Sequence, residues 1–152
     1  MKKWLCLLLA LLLPGAALAD RTVQLPNSRY VIEIPDYMRY SEPGEDDSGV
    51  YAYYCEILEM DYTSYRKEDA MAQGMPGTLR EAAENRVAGG AEVELREING
   101  IEMLCFRTAD DADGAPCIGY VFEDEGWMIE VDFWYANEEA ARLTGGIIST
   151  IH

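Results

Sequence analysis

The dipeptide Asn99-Gly100 lies between two alternating runs, "VELREI" at 93–98 and "IEMLCF" at 101–106. Asn-Gly in that setting is a strong hairpin signal, because both central residues of a type I′ turn need positive φ. A two-residue loop pairs Ile98 with Ile101, Glu97 with Glu102, Leu95 with Leu104 and Val93 with Phe106. Residues directly opposite each other share a face of the sheet. Val93, Leu95, Leu104 and Phe106 therefore make one apolar face, and Glu94, Arg96, Met103 and Cys105 the other. A slip of one residue would scramble both faces, so the register is well specified. The dipeptide is thus read as a turn rather than a functional loop.

A second hairpin turns at Glu125-Gly126 and pairs Phe122 with Ile129, Tyr120 with Val131 and Ile118 with Phe133. Its other face carries Met128, Glu130, Asp132 and Trp134. The connection between the hairpins, "TADDADGAP", has no fixed loop length. Matching the apolar faces sets Leu104 opposite Ile118, which places Cys105 opposite Cys117. The four strands of this meander are predicted at 91–98, 101–107, 117–124 and 127–135.

Earlier in the chain, "TVQLPNSRYVIEI" at 22–34 reads as two short strands around Pro26-Asn27, with Pro35 ending the second. "SEPGEDDSG" at 41–49 is a polar loop, and the aromatic run 50–60 is a predicted strand. "SYRKEDAMAQ" at 64–73 suits a short helix ended near Gly74 and Pro76. Thr78 and Glu81 have capping-box spacing for the next helix, whose predicted apolar stripe is Leu79, Ala82, Ala83 and Val87. Gly89-Gly90 stops it. A final helix starts at Asn137 as N-cap, with Glu138 and Glu139 in its first turn and Leu143, Ile147, Ile148 and Ile151 as its stripe. Gly145 and Gly146 weaken that helix, and close packing on the sheet is one use they would serve.

The N-terminus, "MKKWLCLLLALLLPGAALAD", has the layout of a secretory signal peptide. Lys2 and Lys3 form a positive n-region, Trp4 to Leu13 an apolar stretch, and "ALA" at 17–19 a cleavage signal before Asp20. The apolar run is short for a bilayer, which disfavours the competing reading of an uncleaved anchor. Cys6 lies inside that run rather than at the cleavage site, against a lipoprotein. Residues 20–152 then form one α+β domain, secreted or periplasmic, and no later stretch is apolar enough to span a membrane. The whole chain has a formal charge of −16, and losing Lys2 and Lys3 takes it to about −18. Such a chain repels nucleic acid and anionic lipid, whose binding depends on Lys and Arg. Solubility explains the charge most simply, and a basic partner or bound cations are the sharper readings.

Three cysteines follow the leader: Cys55, Cys105 and Cys117. The odd number allows one internal bridge. The register above predicts a cross-strand Cys105–Cys117 disulfide with Cys55 free, which export would permit. Three separate thiols are the alternative. His152 is the only histidine, so Cys/His zinc sites and histidine-based nucleophile systems are disfavoured. No motif implies a cofactor. The acidic run Asp110, Asp111 and Asp113 invites a calcium reading, but with Gly114 at loop position 6, positions 1 and 12 fall on Ala109 and Tyr120. A polar turn explains the run, with a weak irregular cation site as the remaining option. Glu130 and Asp132 share a strand face beside Trp134, and paired carboxylates are the chemistry of glycoside hydrolysis, given a cleft and a raised pKa. A solvated strand face is the simpler account. Tyr51, Tyr53, Tyr54, Tyr62 and Tyr65 cluster in the sequence before and in the first predicted helix, with Tyr51 and Tyr53 on one strand face and Tyr54 on the other, and exposed tyrosines are common at interfaces. Tyr51, Tyr53, Tyr54 and Trp134 are the candidate binding residues.

The segments "YVIEIPDYM" at 30–38, "REINGIEMLCF" at 96–106 and "WMIEVDFWYANEEAARLTGGIISTI" at 127–151 resemble the PsbP-like superfamily, including DcrB-type bacterial envelope proteins. The resemblance implies an antiparallel sheet, a meander of hairpins, packed by two or three helices. It also implies accessory or binding work rather than catalysis, and it carries no functional residue across. A cystatin-like or nuclear transport factor-like α+β fold is the alternative. The expected function is a secreted or envelope-associated, non-catalytic binding domain. The alternatives are a small carboxylate-dependent hydrolase and an interaction module for a basic partner. No ligand, and no oligomeric state, is named by the sequence.

Overall fold

The computed structural model describes residues 20–41, 51–108 and 115–152. The predicted signal peptide, most of the polar loop 41–49, and the acidic run with Asp110, Asp111 and Asp113 lie outside the described residues.

Two strands, β1 (Asp20–Gln24) and β2 (Val31–Pro35), form a separate antiparallel hairpin. Seven more make the main sheet: β3 (Arg39–Ser41), β4 (Tyr51–Tyr54), β5 (Leu58–Arg66), β6 (Glu92–Ile98), β7 (Ile101–Thr108), β8 (Cys117–Asp124) and β9 (Trp127–Tyr135). Their order is β3-β4-β5-β9-β8-β7-β6, with every neighbour antiparallel. The helices are α1 (Lys67–Gln73), α2 (Leu79–Ala88) and α3 (Glu138–Ile148). None of the described helices is long and apolar enough to cross a membrane.

Three layers result. The β1-β2 hairpin and α3 cover one face of the sheet, called here the hairpin face. Ile32, Ile34, Met60, Met103, Phe122, Val131, Phe133 and Ile148 fill that interface. On the opposite, helix face, α2 packs on β6, β7 and β8. Ala82, Leu104, Phe106, Val121 and Met128 form a smaller core there.

Both predicted turns hold. Asn99 and Gly100 have φ of 52° and 80°, and Glu125 and Gly126 have 44° and 90°. The register of each hairpin is the one read from alternation. Asn99 does more than turn the chain. Its Nδ2 donates to the carbonyls of Ser149 and Ile151 at 2.8 and 2.7 Å, clamping the segment after α3. His152 then pairs with Val31 through both backbone groups, at 3.0 and 3.1 Å.

The register between the hairpins differs from expectation. Leu104 lies opposite Val121, and Cys105 opposite Tyr120. The offset of three residues is odd, so it exchanges faces. Two features favour it. The expected register would have placed Pro116, which lacks an N–H, in the ladder opposite Phe106. The observed one starts β8 just after Pro116 and sets Phe106 over Gly119. A Cβ on Gly119 would lie 2.0 Å from Phe106 Cζ, so only glycine leaves room for that ring. The prediction also assumed a single apolar face, whereas both faces are covered. Cys105 consequently points into the hairpin-face core and Cys117 into the helix-face core. The predicted disulfide is not formed: the sheet stands between these sulfurs, and all three described cysteines are free thiols.

Other boundaries shift for local reasons. The run 50–60 is not one strand, because Cys55, Glu56 and Ile57 turn the chain between β4 and β5. β5 buries Leu58, Met60 and Tyr62 with period two and runs on to Arg66, so α1 starts at Lys67 rather than Ser64. In α2, Val87 points outward. The stripe spaced i, i+3, i+4, i+7 from Leu79 ends on Arg86 instead. Thr78 caps the N–H of Glu81 at 3.2 Å, and Glu81 returns to the N–H of Gly77 at 2.7 Å. Asn137 caps Ala140 at 2.9 Å as predicted. Gly145 and Gly146 are exposed, and a Cβ on either would meet nothing within 4 Å, so neither serves close packing.

Candidate functional site

The strand registers array the helix face in rows. One row runs Tyr54, Glu59, Trp134, Cys117. The next runs Ala52, Asp61, Asp132, Gly119, Phe106, and a third runs Thr63, Glu130, Val121, Leu104. β5 and β9 thus bring Glu59, Asp61, Glu130 and Asp132 together beside Trp134. Residues two apart on one strand give the carboxylates a common side, and antiparallel pairing doubles the set.

Asp132 is the unusual group. Its Oδ1 is buried without a hydrogen-bond partner and abuts Gly119, where a Cβ would lie 2.4 Å away. Burial, and then the neighbouring Glu130 carboxylate, push its pKa up to about 8. A buried carboxyl with that surround holds its proton at neutral pH. Burial also raises the pKa of Asp61, with Glu59 adding to the effect, while a hydrogen bond from Trp134 opposes it. Arg86 reaches down from α2 to pair with Glu130. Its guanidinium lies 4.0 Å from the centre of the Phe106 ring. Tyr65 donates to the Pro76 carbonyl at 2.8 Å, and burial lifts its pKa to about 12. A cleft of about 270 Å³ opens between Tyr65, Pro76, Arg86 and Glu130, and Asp132 does not line it.

The predicted binding residues divide between the faces. Tyr54 and Trp134 lie on the helix face, 40% and 38% exposed, in one row with Glu59 between them. A groove of about 340 Å³ runs along Tyr54 with Tyr37, Arg39 and Glu56. Tyr53 lies on the hairpin face, packed between Tyr40 and Tyr62 at ring distances of 5.2 and 6.2 Å. Tyr51 pairs with Tyr62 through the backbone. Asp61, Glu59, Arg86 and Gly119 were not singled out from the sequence. Arg86 was recoverable from the helical period, and Asp61 and Glu59 from pairing β5 with β9, a long-range match that alternation alone does not supply. Among the described residues no group of three His, Cys, Asp or Glu side chains has a metal-holding arrangement. Cys105 and Cys117 are poorly reactive thiols: burial raises the pKa of Cys105 and lifts that of Cys117 to about 12.

No family model matches the sequence, and no curated protein matches it. Solved structures do share its fold. The solution structure of cyanobacterial PsbP from Synechocystis superposes with a TM-score of 0.60 at 14% identity, over 91% of this chain and 95% of that one. A crystal structure from Bacteroides thetaiotaomicron superposes with a TM-score of 0.56 at 13% identity, over 81% of this chain. The chain spans less than half of that protein, 44% of its length. At these identities the likeness concerns architecture alone, and in architecture this chain has the PsbP-like fold.

Proposed function

We propose that the protein is an exported, non-catalytic binding domain that receives a basic partner on the open part of its helix face. The observation that carries this reading is the row in which exposed Tyr54 and Trp134 flank Glu59, with Asp61 beside them. A cation over an aromatic face is attracted by the ring quadrupole, and adjacent carboxylates supply the opposite charge. The formal charge of −16 steers a basic partner toward the molecule. The leader-like sequence 1–19 supports export, and the burial of the Cys105 and Cys117 thiols, which raises their pKa, is compatible with it. Carboxylate-dependent hydrolysis finds support in the raised pKa of Asp132, yet that carboxyl faces Gly119 rather than the cleft, which favours binding.

Calorimetry with a short Arg- and Lys-rich peptide tests the reading. Binding at low salt is expected, falling as added salt screens exposed charge. Trp134→Ala is expected to weaken it by about two- to fivefold, the scale of one exposed cation–π contact. Absence of binding at millimolar peptide, or equal binding by Trp134→Ala, would overturn it.

A further inference from the structure

We infer that the free edge of the main sheet is a self-pairing surface, through which two copies of this chain join antiparallel β6 strands into one continuous sheet. Among the described residues, β6 has a neighbouring strand on one side only. It is long for an edge, seven residues, and mostly exposed. Leu95 on β6 and Val87 on α2, which packs against β6, are 59% and 56% exposed. They are the two most exposed large apolar side chains of the described residues, and Leu95 belongs to this edge itself.

The backbone phase selects the register. In a two-residue hairpin the closing pair, here Ile98 and Ile101, exchanges both hydrogen bonds, and such pairs then alternate along the ladder. Ile98, Arg96, Glu94 and Glu92 therefore turn their backbone groups toward β7. Val93, Leu95 and Glu97 turn theirs outward. A second copy can pair about a two-fold axis at Leu95, so that Leu95 exchanges hydrogen bonds with Leu95, and Val93 with Glu97. That register uses all seven residues.

It also satisfies the charges. Glu94 of each copy falls opposite Arg96 of the other. Within one chain these two already pair along the strand at 2.6 Å. The two-fold would merge two such pairs into an alternating cluster of four. The neighbouring registers fail the same test. Centring on Glu94 sets two glutamates together, and centring on Arg96 sets two arginines together, each destabilising. Charges on an edge strand ordinarily keep sheets apart. Here their spacing is self-complementary in one register, and the exposed leucines meet in that same register. An isologous two-fold contact of this kind closes on itself, so it yields a dimer and not a fibre.

Sedimentation equilibrium of the protein tests this. The mass is expected to rise toward that of a dimer between about 10 µM and 1 mM, the range of a small, transient interface. Glu94→Arg and Arg96→Glu each replace two attractive pairs with two repulsive ones. Each alone is expected to weaken dimerisation by about tenfold or more. Mixed in equal amounts, the two variants are complementary, and a heterodimer is expected by native mass spectrometry. Both side chains are exposed, so circular dichroism of each variant should match the parent. A parent that stays monomeric to 1 mM, single variants that dimerise as the parent does, or a mixture that stays monomeric would each overturn the proposal.

Discussion

The two faces of the main sheet are built from the same strands and do opposite things. On the hairpin face, β1-β2 and α3 close over an apolar core, and the buried carboxylate at its edge, Asp124, is taken up by Arg29 of the β1-β2 turn, whose backbone N–H donates to it at 2.7 Å. On the helix face, α2 covers β6, β7 and β8, and the side chains on β5 and β9 remain partly open. There the sheet carries Glu59, Asp61, Glu130 and Asp132 together with Trp134. The difference teaches where this fold concentrates its stability and where it leaves charge and aromatic surface open for the proposed recognition. A face buried by two elements maximises the apolar area removed from water. A half-covered face tolerates charge, because water or a facing arginine can solvate it.

Deleting an aromatic ring from each face sets the contrast at its widest. Phe122→Ala removes a fully buried ring from the hairpin face, and a loss of about 3–5 kcal/mol is expected. Trp134→Ala removes a larger ring that is 38% exposed, and about 1 kcal/mol or less is expected. Urea unfolding at neutral pH measures both. Equal losses would mean that the helix face is as closed as the other.

Gly119→Ala probes the point where packing and charge meet. Its Cβ would lie 2.0 Å from Phe106 Cζ and 2.4 Å from Asp132 Oδ1. The ring has little room to move, since Arg86 lies against it. A loss of about 3 kcal/mol is expected, with part of it recovered when Phe106→Leu is added. A neutral Gly119→Ala in thermal melts would show that the ring has space the packing does not suggest.

Asp132 gives the helix face a dependence on pH. In the folded protein its pKa is raised to about 8. In the unfolded chain it is about 4. Between those values the folded state holds more protons than the unfolded one. The contribution of Asp132 to stability is therefore full below the unfolded value and is lost as pH rises toward 8. Asp132→Asn should flatten that slope and stabilise the protein above neutrality by roughly 1–3 kcal/mol. Melting temperatures from pH 5 to about 9 read it. A variant with the parent's slope would place the proton on another group.

Local patterns in the sequence account for much of this. Asn99-Gly100 and Glu125-Gly126 specify their hairpins, and Asn137 specifies the start of α3, because the signal lies within a few residues of the structure it governs. The β7-β8 register was not legible in that way. It depends on whether one face or both are covered, a property of elements far away in the chain. The same blindness produced the Cys105–Cys117 expectation. Trp134 and Tyr54 were named individually, and Glu130 and Asp132 as a pair. That Asp61 and Glu59 join them follows only from β5 lying beside β9, a contact between segments about 70 residues apart.

The smallest expected effect concerns α3, the helix that closes the hairpin face. Its buried side is fixed by Ala140, Thr144, Ile147 and Ile148. Its outer side carries Gly145 and Gly146, where an added Cβ meets nothing within 4 Å. Neither glycine has positive φ, so alanine fits the backbone that is already there. Gly145→Ala and Gly146→Ala should each stabilise the protein by about 0.5–1 kcal/mol, through a less flexible unfolded chain and better helix propensity. The sites are adjacent, and their effects should still nearly add, since neither new methyl group touches the rest of the fold. A gain confirms that the hairpin face is sealed from within and asks nothing of the outer surface of its helix. A loss in chemical denaturation would mean that this outer surface is constrained by something other than packing on the sheet, and the division between a structural face and the proposed recognition face would no longer hold.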